Sequence, residues 1–262
     1  MTNDTIKVKF DERDDELGDW RIDLVGRIAQ DLPATVNGAP AHKEGTPFFG
    51  SSSVKMENGA ILGFTLPSAP ALALEIAATS SKEAKQLLLG FAWRDVLTPD
   101  GPGYSISNED TKSLFDFFQK CMITATFAYQ ALETFSNYSI ERKLKEPVTL
   151  KRRNKKVTLS PTEIERQLST SEKLCQILPD IYDVSTPKGK QPWEQFKKLK
   201  NARDSSIHLK TRDQTGKDSD TLYYEFLSGH FETFPLAAAN MISWFVKGQE
   251  QRWLKHWYRK YA

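Results

Sequence analysis

Beyond residue 110, apolar positions recur every three or four residues, and this spacing predicts helices. The first covers about residues 112–142, with Leu114, Phe117, Phe118, Cys121, Met122, Ala125, Ala128, Leu132 and Phe135 on one stripe. The second opens at Ser160, which is spaced from Pro161 and Glu163 as the N-cap of a capping box. Its face is Ile164, Leu168, Leu174, Cys175, Leu178 and Ile181, and it ends near Asp183. The third begins at Pro192 and carries Trp193, Phe196, Leu199 and then Ile207. The last starts near Pro235, with Met241, Ile242, Phe245, Val246, Trp253 and Trp257 inside and a basic end. Four helices with such faces predict an all-α four-helix bundle. Residues 151–156 form a basic turn or short hairpin between two apolar triplets, readable as a solvated tip or as a phosphate contact. Residues 207–212 and 221–226 look extended, around a polar loop at Gly216.

The front of the chain is patterned differently. Residues 6–10 alternate like a half-buried strand, as do Trp20, Ile22 and Leu24. Gly and Pro then punctuate residues 32–47 as turns. Asn58-Gly59, between residues 54–56 and 60–66, is a strong hairpin signal. Residues 71–77 read as a further strand, and Ser80 and Ser81 as caps of a helix carrying Leu87, Leu88, Phe91 and Val96. The run 98–103 (Thr-Pro-Asp-Gly-Pro-Gly) reads as a loop and a domain boundary. The expected organisation is an α+β domain at 1–105, a sensor or partner-binding unit, followed by a helical domain at 106–262.

Charge sharpens this division. Residues 1–110 hold 10 Lys and Arg against 17 Asp and Glu; residues 111–262 hold 26 against 17. A basic rear half suits a polyanion such as RNA or DNA, or an interface covered by the acidic half. No apolar run approaches the ~20 residues of a membrane span, and the acidic start is no secretory signal. Cys121 and Cys175 fall within helical patterns and read as core residues, not as a disulfide or metal set, so the expectation is a cytoplasmic protein without cofactor or metal. Glu83-Ala84-Lys85 has the spacing of a metal-dependent nuclease motif but lacks the upstream Asp and sits in a helical pattern, so it reads as a solvated pair. His42, His230 and His256 have no partners at matched spacing and read as structural or exposed.

The chemistry concentrates in the third helix. Arg203 falls where its apolar stripe should continue, a costly place for a cation without a partner. His208 follows five residues later. On an undistorted helix the two side chains diverge by roughly 140°. They can meet only if the helix ends or bends near His208, or if a second copy completes the site about a twofold axis.

Arg-Asp-Ser-Ser-Ile-His, Arg203 to His208, late in the third helix of a bundle, resembles the HEPN superfamily (higher eukaryotes and prokaryotes nucleotide-binding). That family's motif is Arg, four to six residues, then His, often with Asn, Asp or His after the Arg; Asp204 meets that preference. The resemblance covers about residues 111–261. It implies a metal-independent endoribonuclease that dimerises to build its site, in toxin–antitoxin, abortive-infection or other antiviral systems. RNA supplies its own nucleophile, the 2′-hydroxyl. On this reading His208 is the general acid/base and Arg203 the stabiliser of the phosphate. Asp204 orients one of them or holds the helix-end geometry, Lys210 and Arg212 bind backbone phosphate, and Glu133 on the first helix pairs with Arg203. The family's subgroup with Tyr two residues after the His is not matched, because Lys210 stands there. Two other readings stay open: a non-catalytic HEPN-type nucleic-acid, nucleotide or scaffold module, and an N-terminal enzyme with a helical dimerisation domain.

Overall fold

The computed structural model describes residues 8–9, 17–33, 41–99, 101–152, 155–211, 213, 221–248 and 251–262. It is a mixed α/β chain in two compact units, Met1–Leu72 with Gln251–Lys260, and Ala73–Glu250 with Tyr261–Ala262. No described helix is long and apolar enough to cross a membrane.

The first unit holds a three-stranded antiparallel sheet of β1 (Val8–Lys9), β2 (Val25–Ile28) and β3 (Pro47–Phe49), in that order. Val8 faces Ile28 and Val25 faces Phe49. The alternation at Trp20, Ile22 and Leu24 predicts a strand slightly too early. Ile22 makes only an isolated bridge to Pro67, and the ladder starts at Val25, which pairs with Phe49, while β1 joins on the other side at Arg27 and Ile28. The hairpin of β4 (Ser51–Lys55) and β5 (Ile61–Thr65) turns at Asn58-Gly59 as expected. Gly59 takes φ +84, which a side chain would resist, and Asn58 Oδ1 accepts the Ala60 N–H at 3.0 Å. The Gly/Pro turns expected over residues 34–40 lie outside the described residues.

Helix α1 (Ala69–Gly90) replaces the strand expected over residues 71–77. Ala-Leu-Ala-Leu alternates, but Ala71, Leu74, Ala77, Ala78, Ser81 and Ala84 also fall on one helical face, and all are buried. Ser68 Oγ accepts the Ala71 N–H at 3.4 Å, and Pro70 suits a first turn. Ser80 and Ser81, expected as caps, are therefore interior. The Pro/Gly run at 98–103 lies in the hairpin of β6 (Trp93–Thr98) and β7 (Gly101–Ile106), inside the second unit.

Helix α2 (Thr111–Lys143) matches its predicted span closely. Its small buried polar residues are satisfied within the helix. Thr124, Ser136 and Ser139 donate to the carbonyls four residues back at 2.8, 2.7 and 2.7 Å. Cys121 is fully buried, and desolvation pushes its thiol far above the usual range. The basic segment is a hairpin of β8 (Val148–Arg152) and β9 (Lys155–Leu159), whose tip at 153–154 lies outside the described residues.

The second predicted helix is broken. Its capping box at Ser160 and Glu163 is present and starts α3 (Pro161–Gln167), but Leu168 turns extended. Ser169 then opens a second box with Glu172 at α4 (Thr170–Glu172). A π-helical turn, Lys173–Ile177, leads into α5 (Leu178–Tyr182), which ends at Asp183 with φ +52. The apolar pattern runs across the break because Leu168 stays buried within it. The third helix is α6 (Gln191–Ile207), with His208 as its C-cap residue.

Residues 221–226, read as extended, instead open and carry α7 (Leu222–Leu227). Tyr-Tyr and Phe suggest a strand, but Thr221 caps the helix by accepting the Tyr224 N–H at 3.3 Å. A 3₁₀ turn, His230–Thr233, precedes α8 (Phe234–Val246). The last predicted helix is two: Gly248, at φ +79, follows the end of α8, and α9 (Arg252–Tyr261) is a separate element. Its N-terminal Arg252 donates to the carbonyls of Leu17 and Asp19 at 2.6 and 3.0 Å.

Within the second unit α2, α6 and α8 pack on one another, and α5 packs on α2 and α8. Phe117, Leu132, Phe196, Leu199, Ile242 and Phe245 are buried in these helices.

The re-capped break gives a test of this path. Ser169→Ala should cost about 1 kcal/mol by loss of the cap, read by urea unfolding. A continuous helix would instead be unaffected or stabilised, since alanine is the better helix former.

Candidate functional site

Helix α6 buries Phe196, Leu199, Ala202 and Ser206. Its stripe therefore drifts through Ala202 and Ser206, and Ile207, expected inside, is 48% exposed. Arg203 sits at the stripe's edge, with its side chain 29% exposed. Its guanidinium carbon lies 4.7 Å from the centroid of the Tyr129 ring on α2. Tyr129 stacks on Phe196 at 6.1 Å and 17°, and Phe196 meets Trp193 at 5.1 Å. The arginine thus caps an aromatic column, a contact worth about 0.5–2 kcal/mol depending on desolvation.

Asp204 holds the same guanidinium. Arg203 Nη1 donates to Asp204 Oδ1 at 3.0 Å, and Lys200 Nζ donates to Oδ2 at 2.5 Å. Desolvation pushes the Asp204 carboxyl up, but the hydrogen bonds from Lys200 and Arg203 outweigh it, and its pKa lies below the ordinary 3.8. Of five guanidinium N–H donors, one is taken by Asp204, which leaves an edge for a bidentate anion.

His208 stands apart from this group. Its backbone N–H closes the helix on Asp204 O at 2.9 Å, and its backbone then leaves helical geometry at φ −121, ψ 62. The ring is exposed and has no partner among the described residues. Arg203 faces α2, and no hydrogen bond joins it to His208 within the chain. Lys210 is exposed; its backbone N–H and C=O are both tied to Asp213, at 3.1 and 2.9 Å. Arg212 lies outside the described residues.

Glu133 does not pair with Arg203. Its field falls on Lys173 and Tyr129. The π-helical turn carries Lys173 inward to 2% exposure, where Nζ donates to Asn137 Oδ1 and Glu165 O, both at 2.7 Å. Desolvation lowers the Lys173 pKa against the opposing fields of Glu133 and Glu165. Desolvation raises that of Tyr129 against the opposing effects of Thr170, Arg203 and Lys200.

Three groups escape the sequence reading. Lys173 cannot be recognised as interior without Asn137, 36 residues earlier. Asp213 is buried and accepts the backbone N–H groups of Lys210 and Leu222, so it pins the chain beyond His208. His230, read as partnerless, meets Glu225 through Nδ1 at 3.0 Å. Its signal is Gly229, at φ +78, which turns the chain back. Glu83 and Lys85, read as a solvated pair, are both in ion pairs with other residues, Lys120 and Glu232. An apolar cleft of about 500 Å³ lies beside the end of α6, lined by Phe115, Phe118, Met122, Leu209, Leu222 and Tyr223.

The chain matches no protein-family model, no curated protein and no solved structure.

The Asp204 contacts predict a pH signature. Folding lowers this pKa, so the carboxylate contributes fully above its unfolded value and loses that contribution as pH falls through the folded one. The stability gap between wild type and Asp204→Asn should be flat above about pH 5 and narrow below the ordinary 3.8, measured by urea titration across acid buffers. A gap that ignores pH would show that the two cations do not hold Asp204.

Proposed function

We propose that the second unit carries a HEPN-type four-helix bundle and that the protein is a metal-independent endoribonuclease acting as a homodimer. The observation that carries this reading is one helix end. Arg203 is half-buried and pre-oriented by Tyr129 and Asp204, while His208 ends the same helix exposed and uncommitted. The mutual packing of α2, α6 and α8, with α5 against two of them, supports the bundle.

In the reaction, the ribose 2′-oxygen attacks the adjacent phosphorus and the bond to the 5′-oxygen breaks. A 2′,3′-cyclic phosphate and a 5′-hydroxyl result. His208 takes the 2′-hydroxyl proton, or in a second copy returns a proton to the leaving oxygen. Arg203 donates to the phosphate oxygens as charge builds on them. Asp204 is a positioning residue for Arg203. Lys210, and Arg212 by its place in the sequence, serve the backbone phosphates. A twofold arrangement of two α6 ends answers the divergence of the pair on one helix. The first unit is then the sensor or partner-binding module of a defence or toxin effector.

A second reading is a non-catalytic module that binds nucleic acid or a nucleotide, or serves as a scaffold. It is favoured by the engagement of Arg203 with Asp204 and Tyr129, which suits a structural arginine equally well.

Incubation with total RNA in EDTA separates the two. Wild type should cleave, and Arg203→Ala and His208→Ala should each lose about 100-fold or more. In cells, His208→Ala should relieve toxicity. Cleavage that survives both substitutions sinks the assignment; RNA binding with neither cleavage nor toxicity favours the non-catalytic module.

A further inference from the structure

On the side of α6 away from Arg203, Lys198, Asn201 and Ser205 stand at i, i+3 and i+7 and share one face. None of these side chains has a partner among the described residues. Their neighbours on the helix are committed. Lys197 pairs with Glu194 at 2.6 Å, Lys200 with Asp204 at 2.5 Å, and Ser206 donates to Ala202 O at 2.7 Å. The uncommitted groups line a cleft of about 350 Å³ whose other wall includes Tyr224, Glu225 and His230. That volume lies at the low end of the ~300–1,000 Å³ typical of small-ligand sites.

The His–Glu pair is built for a ligand. Glu225 holds His230 through Nδ1, which leaves Nε2 as the nitrogen free to meet another group. The Glu225 carboxylate keeps its charge in this pairing, and Lys198 brings a positive charge to the same cleft. Lys198 supplies an unneutralised cation, Asn201 an amide that both donates and accepts, and Tyr224 a ring that is 48% exposed. A cation for phosphate, an amide for a base edge and an aromatic face for stacking are what one unstacked nucleotide asks for.

The cleft also stands on the right side of the helix. By rotation about α6, Asn201 and Ser205 lie roughly 20° and 60° from the direction His208 would take on a continued helix, whereas Arg203 lies about 140° away. His208 follows Ser205 by about 4.5 Å along the axis. The geometry points to this cleft as the subsite for one nucleotide of single-stranded RNA beside the scissile phosphate. Asn201 meets the base edge, Tyr224 stacks on the base, Lys198 meets its phosphate, and His230, positioned by Glu225, bonds a ribose or phosphate oxygen. The ligand's identity rests on the ribonuclease reading; the site rests on the uncommitted groups.

The test uses the full chain and a short fluorescein-labelled RNA of mixed sequence with every 2′-hydroxyl methylated, so that it cannot be cleaved. Binding is read by fluorescence anisotropy, with far-UV circular dichroism confirming each fold. Asn201→Ala and His230→Ala should each weaken binding about tenfold, and Tyr224→Leu about fivefold or more. Glu225→Ala should match His230→Ala, while Glu225→Gln, which keeps an acceptor for Nδ1, restores binding to within about threefold of wild type. Wild type that binds through these residues but never cleaves unmodified RNA overturns the ribonuclease reading and leaves the cleft standing. Binding indifferent to Asn201→Ala, Tyr224→Leu and His230→Ala, or absent in wild type, overturns the cleft whatever the cleavage assay gives.

Discussion

Tyr129 is engaged from three directions, and much of the second unit is arranged by that fact. Its ring stacks on Phe196 and carries the Arg203 guanidinium, while the Thr170 side chain at the start of α4 acts on its hydroxyl. The register of α6 on α2, the seat of the arginine and the restart of the broken helix therefore share one side chain. A large ring with a polar tip suits this position, because it brings apolar area and one hydrogen-bonding group together. Without it Arg203 would face either solvent or an apolar wall. With it, an arginine at the edge of a core stripe is held and still one-quarter to one-third exposed. The neighbouring layer follows the same rule: Lys173 is interior, yet Asn137 and the Glu165 carbonyl accept its N–H bonds.

Long uniform elements are the ones that sequence periodicity reads well. Helix α2 begins and ends within a residue of its expected span, and α6 begins within a residue of its expected start, because many residues vote on one period. Local chemistry is equally readable where it is self-contained, as in the Ser160 capping box and the Asn58-Gly59 turn. Short stretches fail for definite reasons. Residues 71–77 satisfy both the strand and the helix period, and the helix is favoured by Ser68 and Pro70 upstream and by the buried face that continues through Ala78, Ser81 and Ala84. The Ser169–Glu172 box is legible, but it lies under an apolar pattern that runs unbroken past it. Thr221 caps a helix whose residues favour strands, with buried Asp213 taking the Leu222 N–H as well.

For the site, residue types are legible and directions are not. Arg203 and His208 stand out by chemistry and spacing, and helical geometry already requires that they diverge. It cannot fix which face each occupies. That depends on Tyr129, some seventy positions earlier in the chain. Nor does spacing foresee that the charge of Glu133 acts on Lys173 while Arg203 pairs with Asp204, or the turn at Gly229 that carries His230 back onto Glu225.

The end of α6 poses an electrostatic problem for any phosphate ligand. Unsatisfied carbonyls give a helix C-terminus a partial negative charge, which opposes an anion there. The residues around this end offset it. Lys200 and Arg203 bring two positive charges against the single carboxylate of Asp204, so one positive charge survives the internal pairing. Lys198 stands unneutralised on one side and Lys210 just beyond the end. Asp204 fixes the arginine's orientation without cancelling the group's charge. A phosphate reaching His208 meets this surplus from more than one side, and no single face of the helix supplies all of it. On the ribonuclease reading proposed above, such a surplus suits an extended polyanion that passes around the helix end, or one held between two such ends, better than a compact anion seated on one face.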